Sequence, residues 1–475
     1  MFASLFSYDR HNPIIRAFCE YWCPTTNTLH TSRGEMSISL WDLYEIGDLP
    51  ITGRFYDEVI PTTESLNRKD HKGMSYIPHI CRYLFLAYHK ILRDSKGKSG
   101  VRMAAWIKYC QRRPLIHLEE EEVFEDLGIP DEDMEKSYLA AFIACWLCKF
   151  VFPKDNVTLI RPGVFKVASR MAHGVSFGLA VPVLASIYKG LNDISSADDP
   201  GNCTTVLPFH YVYGWLGEYF NTYFTSSSEK SIPIMARFSG RLSANFFEHS
   251  TAQALLRTCG KVEMSRLATV FSECKQLTDK DHISKEDFEY LICLRSGFVS
   301  LRQENYRVIQ PYSPHQFSRQ FCYVQHVPGE LKDDVQNGTV LSVYSHWKSC
   351  LKIGSASTIT LPTKDNIQEF EITSDYVIWW LPSFKDDLGK LITTLDNVGA
   401  DVSSLRAMID ALMVTAVNYH SAHSTYSQKL SPEAQSDRLT AVDSSLSITL
   451  ALQQVEEVHQ SSILESIQSA NTSME

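Results

Sequence analysis

The sequence has no apolar run of the ~18 residues or more that a membrane-spanning helix requires. Its most apolar helical stretch, Ala140 to Phe152, is too short and ends at Pro153. The opening MFASLFSYDRHNPII lacks a basic region followed by a long apolar core, so no signal peptide is expected. There is no Walker-type glycine loop, no G-x-S-x-G elbow and no H-E-x-x-H pair, which removes three common catalytic signatures. No period of ~20–50 residues recurs, so a solenoid is not expected. Positive charge is also in short supply. Forty-five Lys and Arg face 55 Asp and Glu, a formal net charge of -10, so whole-molecule attraction to nucleic acid is not expected.

What is present is ordinary globular material. The 475 residues are 44% hydrophobic, enough for one large or two medium cores. The 12 cysteines fall mostly in apolar helical contexts such as Cys145, Cys148, Cys274 and Cys293. Buried free cysteine behaves as a small hydrophobe, and an intracellular chain with reduced thiols is the expectation. The pattern predicts a mainly α fold (α+β) in three stretches. Residues 1–330 read as a large helical core, and 331–382 as a small β or extended region completing it, with strands at 340–344, 358–361 and 376–380. Residues 383–475 read as C-terminal amphipathic helices with a frayed end.

The best-punctuated stretch is Gly34 to Pro61. Met36, Ile38 and Leu40 alternate with Ser37 and Ser39, which suits an extended lead-in. Ser39 can cap a helix, and Asp42 sits where it favours the positive helix end. Gly47 and Asp48 are expected to stop the helix, since glycine tolerates a left-handed terminating residue. Pro50 and Gly53 force a turn. Upstream, a helix from Ile14 to Tyr21 is expected to end at Cys23-Pro24, followed by a polar turn through Ser32. Residues 164–191 read as a buried helical region that Pro182 kinks or divides.

Several groups invite a chemical reading. Cys145-x-x-Cys148 has redox or zinc half-site spacing, but it sits in an apolar helix with no second pair, which favours core packing. Cys19, Cys23 and His30 are metal-ligand types without an obvious fourth, whereas zinc sites usually close with four. Lys90, Arg93, Lys96, Lys98, Arg102, Lys108, Arg112 and Arg113 form a basic region containing Trp106 and Tyr109. That mix can track a phosphate backbone and stack bases; the competing reading is a solvated face balanced by Glu119 to Glu122. Acids such as Asp57 with Glu58 would matter to a metal-dependent nuclease only if they converged on cations. Lys166 and Lys189 lie in the buried-looking region without the surroundings of a Schiff-base lysine. No catalytic residue, cofactor or metal is assigned.

Near the C-terminus Leu395, Val398, Val402, Leu405, Ile409 and Leu412 step by three and four, continuing through Ala416 and Tyr419. This heptad seam suits a partner helix or intramolecular docking.

Five blocks together resemble one family. They are FCEYWCPTTNTLHTSRGEMSISLWDLYEIGDLPITGRFYDEVIP at 18–61, LAAFIACWLCKFVFP at 139–153, VFKVASRMAHGVSFGLAVPVLASIYKGL at 164–191, LPFHYVYGWLGEYFNTYF at 207–224 and PYSPHQFSRQF at 311–321. The chain resembles the aminotransferase-like plant mobile domain family, which includes the MAIN-like proteins, over roughly residues 10–385. The resemblance implies a link to transposable elements and to genes domesticated from them. It implies a nuclear factor in transposon silencing, genome stability or meristem maintenance, with protein partners and DNA or RNA as further candidates and no membrane. It carries no catalytic residue. Trp41, Leu43, Gly47, Pro50, Gly53, Tyr213, Gly214 and Trp215 read as the structural residues of the family signature.

Overall fold

A serine followed three residues later by an acid can close both ends of a helix start on each other. At Ser39 and Asp42 the reciprocal pair is complete: the Ser39 side chain accepts from the Asp42 amide, and the Asp42 carboxylate accepts from the Ser39 amide at 2.7 Å. In the computed structural model this cap opens helix α2, the centre of the larger of two units. The units are Met1–Glu371 and Ile372–Glu475. The structure describes most of residues 8–361. Outside the described residues lie 111–126, 201–204, 221–233, 240–247, 259–263, 270–274, 328–338 and some shorter gaps, together with all but scattered positions after 361.

In chain order the elements are α1 (Asn12–Glu20), β1 (Trp22–Cys23), β2 (Thr28–Thr31), β3 (Gly34–Met36), α2 (Leu40–Gly47), α3 (Thr63–Asn67), α4 (Ile80–Asp94), α5 (Met103–Cys110), α6 (Asp131–Trp146), α7 (Phe165–Ala172), α8 (Ala180–Ser195), α9 (Phe209–Tyr219), α10 (His249–Thr258), β4 (Lys275–Thr278), α11 (Lys285–Cys293), β5 (Gly297–Gln303), β6 (Tyr306–Tyr312), α12 (Val340–Cys350) and β7 (Thr358–Leu361). The fold is mainly helical, as expected. Its strands form a three-stranded antiparallel sheet β1-β2-β3 and two antiparallel pairs, β4-β7 and β5-β6. The hairpin β5-β6 pairs from Gly297 with Tyr312 to Gln303 with Tyr306 and turns through Glu304 in the left-handed region.

The core is built around α2, α8 and α9. Every residue of α9 from His210 to Tyr219 is buried, the pattern of a helix enclosed on all sides. Gly47 is the last residue of α2; the left-handed position after it belongs to Asp48, at φ 53°. Gly47 has a steric role, since a Cβ there would lie 2.6 Å from a ring carbon of Tyr211 on α9. Gly214 on α9 answers it, because a Cβ there would meet Ile46 at 2.8 Å. Two helices thus approach closely through a glycine on each.

The turn after α2 is held differently. Ala180 donates to the Pro50 carbonyl at 3.0 Å, Arg54 donates to Ser176 at 2.9 Å, and Gly178 donates to Arg54 at 3.1 Å. Gly53 has φ +140°, and a Cβ on it would lie 2.8 Å from the Gly178 amide nitrogen. The break in the 164–191 stretch therefore falls at residues 173–179, where backbone meets backbone. Pro182 lies in the first turn of α8, where a missing amide hydrogen costs no intrahelical bond.

Three expectations are corrected. Residues 22–31 are a sheet with a tight turn at 24–27, where Asn27 takes φ 54°; asparagine tolerates this left-handed state. Residues 340–350 form α12: Thr339 caps it by accepting from Ser342, and Val343, Trp347 and Cys350 are its buried face at helical spacing. Strand 358–361 is present and pairs with β4. In the unit Ile372–Glu475, Tyr376 and Trp379 are helical with rings 5.5 Å apart, against the strand expected at 376–380, of which 377, 378 and 380 lie outside the described residues.

Adding a methyl group at either glycine of the α2–α9 contact should be felt as overpacking. Gly47→Ala and Gly214→Ala are each expected to cost about 1–3 kcal/mol in denaturant unfolding of the full chain. Gly53→Ala is expected to cost more than Gly214→Ala, because it adds backbone strain at positive φ to the clash. Values within error of wild type would contradict this packing.

Candidate functional site

Residues 56–58 gather the densest described set of charged side chains. Arg161, just before α7, grips Glu58 with two nitrogens, Nε at 2.5 Å from Oε1 and Nη2 at 3.2 Å from Oε2. Tyr56 donates to the same Oε2 at 2.9 Å, and Arg161 Nη1 donates to the Cys148 carbonyl at 3.3 Å. Glu58 has no exposed surface. Beside it, Asp57 takes Lys166 of α7 at 2.8 Å and Arg302 of β5 at 2.8 Å. Glu304 in the hairpin turn donates its amide to the Glu58 carbonyl at 2.6 Å. The two acids thus pin one short segment to α7, to the end of α6 and to the hairpin. Their oxygens are already answered by fixed cations, so the arrangement does structural work and leaves no converging carboxylates for a catalytic cation.

The lysines weighed for Schiff-base chemistry are likewise occupied. Lys166 is held by Asp57, and Lys189 pairs with Asp193. Cys145-x-x-Cys148 lies where α6 runs into a π-helical turn, Leu147–Val151. Burial pushes the two thiols up to about 12 and about 11, the behaviour of packed, unreactive cysteine. Cys19 is buried in α1, and among the described residues no three His, Cys, Asp or Glu side chains are placed to hold a metal ion.

The basic region is divided. Lys90 and Arg93 lie on α4, Arg102 immediately precedes α5 and Lys108 lies on α5. Lys96, Lys98, Arg112 and Arg113 lie outside the described residues. Arg93, Arg102 and Lys108 are exposed, while Lys90 is half-buried with its Nζ over the Tyr109 ring at 5.8 Å. Trp106 is not free to stack a base. It is fully buried, stacked on Phe165 at 5.2 Å, and donates from Nε1 to Ala141. The same helices expose large apolar side chains instead: Leu86 on α4 (51%), Ile107 on α5 (47%), and Leu139 and Phe142 one turn apart on α6 (41% and 44%). α4, α5 and α6 pack on one another, so three neighbouring helices carry both exposed cations and exposed apolar groups. The cations stand out in the sequence by their charge, whereas an apolar member shows only by falling off its helix's buried stripe, as Leu86 does beside Leu84, Ala87, Tyr88 and Ile91.

The signature residues Trp41, Leu43, Tyr213 and Trp215 lie among buried side chains. Trp41 stacks on Tyr44 at 5.0 Å, meets Tyr290 edge-on at 4.8 Å and donates to the Leu267 carbonyl at 2.9 Å. Leu43 is buried. The Tyr213 hydroxyl accepts from the His11 amide at 2.6 Å, and Trp215 meets Phe18 edge-on at 6.0 Å. The seam residues Leu395, Val398, Val402, Leu405, Ile409 and Leu412 lie outside the described residues. No described helix is long and apolar enough to cross a membrane.

These features define a large helical domain whose described charged clusters serve the fold and whose α4–α6 surface is open to contact. The family model for the plant mobile domain matches residues 1–381, and the chain belongs to that family, which makes it a transposon-related protein. No curated protein and no solved structure matches the chain.

Arg161→Met leaves a buried carboxylate without its cation and is expected to cost about 3–5 kcal/mol in chemical denaturation. Glu58→Leu combined with Arg161→Met should recover much of that loss, because neither charge is then stranded. A double variant as unstable as Arg161→Met alone would contradict the pairing.

Proposed function

We propose that this protein is a non-enzymatic interaction factor of transposon origin. It works in a nuclear complex with protein partners, in transposon silencing, genome stability or meristem maintenance. The observation that carries this reading is the α4–α6 surface, where Leu86, Ile107, Leu139 and Phe142 stand exposed on three mutually packed helices. Exposed apolar groups set among cations are the chemistry of a protein contact. Membership of the plant mobile domain family supports the transposon origin. The C-terminal seam at 395–412 is a second route to a partner helix. Direct nucleic-acid binding through Arg93, Arg102 and Lys108 is the alternative, and the burial of Trp106 weakens it.

Two substitutions on one turn of α6, Leu139→Glu and Phe142→Glu, should leave the fold intact and reduce proximity labelling of nuclear partners by at least ~10-fold, since core interface groups carry most binding energy. An unchanged set of partners would contradict the surface assignment. Light scattering on the full chain and on residues 1–385 tests the seam. Two monomers would exclude self-association. Arg93→Glu with Lys108→Glu weakening DNA binding and flattening its salt dependence would favour the alternative.

A further inference from the structure

The register of the small sheet brings four polar side chains to one face. Cys23 on β1 pairs with Thr28 on β2, and His30 on β2 pairs with Glu35 on β3. Thr28 and His30 are two apart, so they share a face, and each cross-strand partner shares it with them. Trp22, Leu29 and Met36 point the other way into the core. On the polar face the His30 imidazole lies beside the Cys23 thiol and the Glu35 carboxylate, with its Nε2 at 3.4 Å from Oε1 of Glu35. Thr28 fixes Glu35 by donating to the same oxygen at 2.8 Å, and Thr25 lies 3.4 Å from the Cys23 sulfur. This is a nucleophile, a base and an orienting carboxylate in sequence.

We propose that Cys23 is a thiolate modification site, activated by His30 and Glu35, that is oxidised by hydroperoxides. The proposal is independent of the partner-binding reading. The thiolate sulfur attacks one peroxide oxygen, so an S–O bond forms as the O–O bond breaks. Sulfur gives up two electrons and becomes a sulfenic acid. The departing hydroxide of hydrogen peroxide, or the alkoxide of an organic hydroperoxide, takes the proton of the His30 imidazolium and leaves as water or the alcohol.

The electrostatics agree with the geometry. Burial alone would raise the Cys23 thiol, but hydrogen bonds from His30, Thr25 and Thr26 outweigh it and bring it down to about 6. Burial opposes charge on His30 too, yet its bonds to Cys23 and Glu35 bring it up to about 9. Other charged groups around the sheet are engaged elsewhere. On α8, Lys189 pairs with Asp193, and the Tyr188 hydroxyl is bonded to Ser37. On α1, Arg16 binds Glu20, which also takes His249 of α10. Of the nine described cysteines only Cys23, Cys110 and Cys145 are part-exposed, and burial raises the latter two.

The test is iodoacetamide alkylation of the full chain from pH 5 to 9, followed for each cysteine by peptide mass spectrometry. The Cys23 rate is expected to be half-maximal near pH 6. At pH 6 it should exceed an unperturbed peptide thiol about 10-fold, a larger thiolate fraction partly offset by weaker intrinsic nucleophilicity. His30→Gln should move the midpoint above pH 8 while Cys81 and Cys148 stay unlabelled, the sign that the fold is kept. Hydrogen peroxide with a dimedone trap should then label Cys23 first. A Cys23 rate that climbs ~10-fold per pH unit through pH 6–8, as an ordinary thiol does, would overturn the proposal. So would fast alkylation without any dimedone adduct at Cys23.

Discussion

A carboxylate sealed inside a protein must find every hydrogen bond within it, and Asp42 finds its own from both ends of the core. One oxygen takes the amide and the hydroxyl of Ser39, each at 2.7 Å. The other takes the Tyr219 hydroxyl at 2.8 Å. The first pair starts α2; the second fastens α2 to the last turn of α9. Burial raises the Asp42 carboxyl, and the Ser39 and Tyr219 bonds only partly offset it, leaving it at about 6. The fold therefore carries a charge that water would solvate better, and gains a fixed relation between two central helices.

Other parts of the core depend on that relation. With α2 and α9 locked, Gly47 and Gly214 let the two helices close to a distance no side chain would permit. The chain leaving α2 then crosses residues 176–180 backbone to backbone, which delivers Asp57 and Glu58 to their cations. Glu58 in turn anchors the β5-β6 hairpin, on which α8 and α12 pack. The polar chemistry of this part of the molecule goes into positioning. The thiol of Cys23 differs because it lies half-buried on the polar face of its sheet, where its neighbours His30 and Glu35 can alter its reactivity.

Much of this was legible in residue order. The cap at Ser39 and Asp42, the helix that follows it, the turn at Pro50 and Gly53, and the buried α9 all carry local signals. The misses share a cause: tertiary context chose among local patterns. Val340 to Tyr344 alternates like a strand, but Thr339 caps a helix whose buried residues recur at 343, 347 and 350. The polar run after Cys23 looks like a loop, because the sheet buries polar residues such as Thr28 and Glu35, which carry no apolar alternation. Pro182 marks the break several residues too late, since the signal that matters is the approach of Gly178 to Ile51, a contact far apart in sequence. The site residues of the basic region were readable as charges, whereas the burial of Trp106 under Phe165 was not.

Asp42 is thus a buried, internally bonded carboxylate that joins two helices, and its titration reports on that role. Its carboxyl is raised in the folded chain from an ordinary 3.8 to about 6. A carboxyl raised by folding contributes its full stability below the ordinary carboxylate range and loses it as pH rises through about 6. Urea unfolding of the wild-type chain and of Asp42→Asn, each at pH 4 and pH 7, measures this loss directly. The variant is expected to gain on wild type with rising pH, by on the order of 2–3 kcal/mol, since each tenfold change in proton affinity between folded and unfolded chain is worth ~1.4 kcal/mol. Parallel pH dependences for the two proteins would mean that Asp42 titrates as a solvated acid, and would contradict its place as the joint between α2 and α9.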